Sequence, residues 1–171
     1  MSLGFAELHE GNIMKRRLSG IILALALVCP AFGQEVPFAQ PTTNANGPRL
    51  GDIMAAVQVR HVKLWYAGSL KNWPLASYEL GQIKDSFEHA ALLYTNIPVD
   101  MIVADTKPLD ALDKVIKAKD EAGFVRTFLD LTHGCNGCHQ AAQIGFLVVK
   151  LPTASPTASS FSDQSFAPTQ R

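Results

Sequence analysis

From residue 50 onward the apolar positions recur every three or four residues, the period of one face of an α-helix. Leu50, Ile53, Met54, Val57, His61, Leu64 and Trp65 fall on one stripe, while Arg60 and Lys63 leave it for solvent. The spacing predicts a first helix over residues 50 to about 66, with Gly68 as its stop. Asn72 is a good N-cap for a second helix, and Pro74 is tolerated in its first turn. The buried stripe there is Leu75, Ala76, Leu80, Ile83, Phe87, Ala90, Ala91 and Tyr94, with Glu79, Lys84, Asp85 and Glu88 facing outward. Asn96-Ile97-Pro98 ends it. Residues 99–106 read either as a short helix or as an irregular crossing segment. Thr106 then looks like the N-cap of a third helix that holds Leu109, Leu112, Val115 and Ile116 and ends near Lys119. Asp120 caps the fourth, whose stripe of Phe124, Val125, Phe128, Leu131 and Thr132 leads straight into Cys135. No alternating strand pattern intervenes. The expectation is an all-α fold, an antiparallel four-helix bundle over residues 49–150.

The flanks differ. Residues 34–48 hold Pro37, Pro41, Asn44, Asn46, Gly47 and Pro48 without apolar period, and read as a flexible leader. Residues 151–171 are rich in Pro, Ser and Thr and read as a disordered tail, with Phe161 and Phe166 the only bulky apolar side chains beyond Leu151. Residues 1–33 have another character: Lys15-Arg16-Arg17, a short apolar run from Ile21 to Cys29, then Pro30-Ala31-Phe32-Gly33. A basic head, apolar body and small-residue exit form a secretory signal peptide, and the body is short for a bilayer span. Export to the periplasm is expected; an uncleaved membrane anchor is the competing reading.

Composition narrows the function. The chain has 171 residues, with 15 basic and 15 acidic side chains and no formal net charge. Such a balance gives no general attraction to phosphate backbones, so nucleic acid is not an expected partner. Three cysteines exclude a disulfide-dense scaffold. Removal of the leader peptide takes Cys29 with it and leaves Cys135 and Cys138.

Those two open the sequence Cys135-Asn136-Gly137-Cys138-His139, the CxxCH signature of c-type haem attachment. Two thiols three positions apart on a helical turn reach the two vinyl groups on one edge of a porphyrin. The imidazole of His139 then projects beneath the iron as proximal ligand. A thioredoxin-like redox pair expects a βαβ context, and a closed zinc site expects four ligands. A plain disulfide is the third alternative. The histidine directly after the second cysteine, together with an export signal, favours one covalently bound haem c.

The motif sits after three helices, late in the chain. In this it resembles the cytochrome c′ and cytochrome c-556 family, four-helix-bundle c-type cytochromes that carry CxxCH in the fourth helix. The resemblance spans residues 50 to about 146. Members often have a basic residue shortly before the first cysteine, whereas this chain has Asp130-Leu131-Thr132-His133-Gly134 there. The extension Phe146-Leu147-Val148-Val149 and the long tail also depart from the pattern, as in a divergent relative.

The resemblance implies a distal residue on the first helix: methionine in low-spin electron carriers, a mere blocking side chain in five-coordinate gas binders. Met54 lies where that residue is expected, with His61 as rival two turns further along, displaced by about 10 Å. Trp65, Trp73 and Tyr78 are candidate walls of the haem pocket, and Arg49, Arg60 and Lys63 candidate partners of its propionates. The expected function is one-electron transfer with a periplasmic redox partner protein, not enzymatic catalysis. The alternative is a five-coordinate protein that binds nitric oxide or carbon monoxide. A small peroxidase would need a distal acid–base group, for which His61 is the visible candidate. The resemblance also suggests a homodimer through the first two helices.

Overall fold

Capping residues and apolar stripes produce four α-helices: α1 Leu50–Ser69, α2 Trp73–Leu93, α3 Val99–Ala118 and α4 Glu121–Ala141. A single 3-10 turn follows at Pro156–Ala158. The structure is a computed structural model that describes residues 46–169, all within one compact unit, Gln34–Arg171. The expected signal peptide and nearly all of the leader lie outside the described residues. No strand occurs among those described.

The caps act as their chemistry suggests. Asn72 Oδ1 accepts the Leu75 N–H at 3.3 Å, and Asp120 Oδ1 accepts the Gly123 N–H at 2.9 Å. Each satisfies a donor that the first helical turn leaves open. Gly68, expected as a stop, lies inside α1 instead. It is buried, and a Cβ there would overlap the Phe124 ring, so this glycine permits close approach of α1 and α4. The chain leaves α1 at Lys71, whose φ of 62° is left-handed, while Lys71 N–H donates to the Gly68 carbonyl.

The third helix is longer than its apolar stripe suggests. It starts directly after Pro98 and runs unbroken through Pro108, merging residues 99–106 with the segment beyond. Pro108 cannot donate to the carbonyl four residues back, which is that of Ala104. Ala104 is exposed, so water can serve that carbonyl.

Sequence neighbours pack antiparallel. Arg60 of α1 meets Glu79 of α2, Lys84 of α2 meets Asp110 of α3, and Met101 of α3 shares a cleft with Cys138 of α4. The arrangement is compatible with a four-helix bundle. Its main core includes Leu64, Leu80, Leu112, Phe124, Phe128 and Leu131. A smaller cluster of Ile53, Ala90 and Tyr94 lies where α1 starts and α2 ends, and Met54 touches both clusters. Tyr94 also donates its hydroxyl to the Pro48 carbonyl at 2.9 Å, fixing the entry to α1.

Two features overturn the outline given by the stripes. Glu79, expected outside, is 1% exposed. Its Oε2 accepts from Arg60 Nη1 at 3.0 Å, and Arg60 is half-buried, its guanidinium over the face of the exposed Tyr78 ring. A buried carboxylate is tolerable only with such a partner. The tail, expected to be disordered, has fixed contacts as far as residue 167. Phe166 is buried edge-on against Tyr66, with ring centroids 5.3 Å apart. Asn72 Nδ2 donates to the Ala167 carbonyl at 3.0 Å, and the Lys63 ammonium lies 5.1 Å from the Phe161 ring. This segment cannot build a core of its own; it borrows the surface of α1 and the α1–α2 turn.

Arg60→Leu should leave Glu79 buried without its cation and destabilise the fold by about 3 kcal/mol. Arg60→Leu with Glu79→Leu should recover most of that loss. Urea unfolding of the two single variants and the double variant measures it, and additive effects would contradict the pairing.

Candidate functional site

The seam between α1 and α4 sets the geometry of the motif. At one end Trp65 packs on Phe124 and Phe128, with ring centroids 6.2 and 5.1 Å away. One turn nearer the motif, His61 lies 4.4 Å from the Phe128 ring, and its Nε2 is 2.9 Å from Thr132 Oγ1. These pairs define an antiparallel register. Seven residues back along α1 from His61 stands Met54; seven forward along α4 from Thr132 stands His139. Each step covers about 10 Å and returns to nearly the same helix face. Counted from that register, Met54 and His139 fall at the same step of the two helices. His61 is level with Thr132, a full turn before Cys135.

The hydrogen bonds decide which nitrogen of each histidine carries the proton. Thr132 Oγ1 donates to the Phe128 carbonyl at 2.9 Å, so toward His61 it accepts, and His61 Nε2 is the protonated nitrogen. His61 Nδ1 holds the lone pair and is buried without a hydrogen-bond partner. Burial pushes the His61 pKa down to about 4. In His139 the roles are reversed. Its Nδ1 lies 2.6 Å from the Leu147 carbonyl, which can only accept. Nδ1 therefore carries the hydrogen and Nε2 keeps a free lone pair.

The Leu147 carbonyl reaches the motif because the chain reverses after α4. Gln143 adopts a φ of 60°, and Ile144 N–H donates to the His139 carbonyl at 2.9 Å. The returning segment is held by Asn136, the second residue of the motif. Asn136 Nδ2 donates to the Val149 carbonyl at 2.9 Å, and Asn136 Oδ1 accepts the Val149 N–H at 2.8 Å. Asn136, Leu147 and Val149 were not among the sequence-derived site residues. The asparagine inside the motif was the available signal, but its partner lies beyond a turn that periodicity does not reveal.

Cys135 packs partly against the main core, and Cys138 lines a cleft of about 250 Å³ between α3 and α4. Gly134 and Gly137 border that cleft, with Asp100, Met101 and Ala104 opposite. A Cβ at Gly137 would meet nothing within 4 Å, so the α4 surface there is bare. Asp100 and Met101 escaped the sequence reading because residues 99–106 gave no clear periodicity. A second cleft of about 290 Å³, between α1 and α2 beside His89, contains none of the motif residues.

The donor set fits a covalently held haem. Two thiols one turn apart are not joined as a disulfide, Gly137 between them clears space for a ring, and one imidazole is held with Nε2 available. Among the described residues no three His, Cys, Asp or Glu side chains converge as a closed zinc site requires. Trp65 and Trp73 pack on Phe124 in the main core, and Tyr78 is exposed under Arg60. Arg49 is paired with Asp52 at 3.0 Å, which holds that carboxyl below its usual range. His89 and His133 are exposed.

Comparison with known protein families, characterised proteins and solved structures finds no match. No helix among the described residues is long and apolar enough to cross a membrane.

The unfolded chain takes up the His61 proton near pH 6.5, the folded chain only near pH 4. Stability should therefore fall as pH drops between these values, by about 3 kcal/mol at full effect, with no contribution above neutrality. His61→Leu removes the titrating ring and leaves Thr132 bonded to Phe128. Urea midpoints at pH 7 and pH 4.5 should move apart in the parent and much less in this variant.

Proposed function

We propose that this chain is an exported single-haem c-type cytochrome that transfers one electron at a time to and from a periplasmic redox protein. The observation that carries this reading is the Cys135–His139 motif closing α4 with His139 Nδ1 bonded to the Leu147 carbonyl. That bond orients the imidazole and leaves Nε2 as the one nitrogen free to coordinate. Bound haem would supply an iron that alternates between Fe(III) and Fe(II). The protein's share is the rest. Cys135 and Cys138 tether the ring through thioethers, and His139 Nε2 gives its lone pair on one side. The bond to the Leu147 carbonyl holds the imidazole in one orientation.

Met54 is our choice for the opposite ligand. Counting along the α1–α4 register favours it, and its thioether would raise the reduction potential relative to a second imidazole. His61 is a poorer fit because its Nε2 is already bonded to Thr132 and its level on the seam precedes both cysteines. On this reading the chain is a divergent member of the cytochrome c′ and cytochrome c-556 family, active as a carrier and not as an enzyme. Periplasmic location rests on residues 1–33, and a homodimer through α1 and α2 rests on the family resemblance alone.

Expression in cells competent for cytochrome maturation should give a red protein with one haem per chain by pyridine haemochrome assay. Replacing Cys135 and Cys138 together by alanine should abolish covalent attachment. The reduced parent should be low-spin and indifferent to carbon monoxide. Met54→Ala should turn it high-spin and reactive with the gas, while His61→Ala leaves the spin state unchanged. A parent that already binds carbon monoxide would favour the five-coordinate alternative. A colourless product with both thiols open to alkylation would end the haem reading.

A further inference from the structure

We infer that Asn136 is a positioning residue for His139: its two-point clamp on Val149 holds the Leu147 carbonyl against the imidazole and so sets how strongly His139 donates to the iron. The inference rests on the haem reading above.

The segment carrying that carbonyl is not held by burial of its side chains. Phe146, Leu147 and Val148 are 75%, 52% and 57% exposed. What points inward is main chain. The Leu147 carbonyl faces His139 Nδ1, and two residues on, both polar groups of Val149 face Asn136. An amide side chain that donates and accepts to the same residue matches the main-chain pattern of a strand pair, so it fixes orientation as well as distance. Without the clamp, Leu147 would keep its own N–H bond to the Ile144 carbonyl and the turn's bond from Ile144 N–H to the His139 carbonyl, but nothing beyond it would fix the direction of its carbonyl. Its carbonyl would then be free to turn to water.

The chemical consequence is specific. An imidazole whose N–H donates to a carbonyl gains electron density at the other nitrogen and becomes a stronger ligand to the oxidised metal. Loss of the acceptor weakens that donation and shifts the reduction potential upward. The same loss exposes the Nδ1 hydrogen to exchange with water.

The test uses the haem-loaded full chain with Asn136→Ala and Val149→Pro. The second variant removes the N–H that Asn136 accepts while leaving the Asn136 side chain in place, at the cost of a fixed φ at residue 149, which keeps the question answerable if the first variant matures poorly. In the oxidised protein, solvent exchange of the His139 ring N–H should accelerate about five- to ten-fold in both variants. The midpoint potential should rise in both, and Asn136→Ala combined with Val149→Pro should add little to either single change. In the exchange rate, Asn136→Asp, which still accepts the Val149 N–H but cannot donate to its carbonyl, should fall between the parent and Asn136→Ala. Unchanged exchange and potential in variants that retain haem would overturn the role of Asn136 and leave the cytochrome reading intact. Absence of a pyridine haemochrome from the parent would remove both.

Discussion

The hydrogen bond from His61 to Thr132 is the constraint on which the rest of the molecule depends. It joins the first helix to the last across 71 residues of sequence, inside the core. Apolar stripes tolerate sliding, because one leucine contact resembles another. A buried polar pair does not: a one-turn slip strands a donor and an acceptor, at a penalty of about 1–3 kcal/mol for each group left unpaired. Gly68 against Phe124 adds a steric lock two turns away, where only a residue without a Cβ allows the ring to seat. With both points fixed, the register of α1 against α4 is set over the whole stretch from Gly68 to His61.

The two ends of the helical assembly then take on different work. The end holding Trp65, Trp73, Phe124 and Phe128 is packed with aromatic rings and supplies cohesion. The motif end is weak by composition. Gly134 and Gly137 each disfavour helix by about 1 kcal/mol relative to alanine, and Asn136 adds to that. Gly137 leaves the α4 surface bare beside Cys138, and the two glycines leave the last turns of α4 short of support. The returning segment provides it. Asn136 and His139, both poor helix formers, are tied to Val149 and Leu147 through polar bonds that require no space on the glycine side.

How much of this was legible in the sequence depends on the kind of signal. Apolar period gave the helices, and the side-chain caps at Asn72 and Asp120 gave two of their starts, because these are local properties. The motif residues were legible for the same reason. Gly68 was misread because a glycine in a helix has two uses, ending it or admitting a neighbour, and only the partner ring tells them apart. Glu79 was misread because its charge predicts exposure while its burial depends on Arg60 nineteen positions away. The first half of α3 was ambiguous because Pro108 argues for a boundary that the exposed Ala104 carbonyl makes unnecessary. The tail was taken as disordered because its composition cannot form a core; nothing local says that Tyr66 offers Phe166 a place in one already formed.

The two histidines show best what sequence position leaves open. Both lie on a helix, His61 buried and His139 partly exposed, and either could be written down as a metal ligand. Their hydrogen bonds separate them. His61 presents Nε2–H to an acceptor and turns its lone pair into an apolar pocket, where protonation is suppressed to about pH 4. Such a ring serves packing and register, and recruiting it to a metal would require breaking the bond that sets the seam. His139 presents Nδ1–H to a carbonyl and keeps Nε2 open. One ring is spent on the fold; the other is oriented by its Nδ1 bond with Nε2 left open. The difference comes from a threonine hydroxyl on one helix and a main-chain carbonyl beyond its end, not from the histidines themselves.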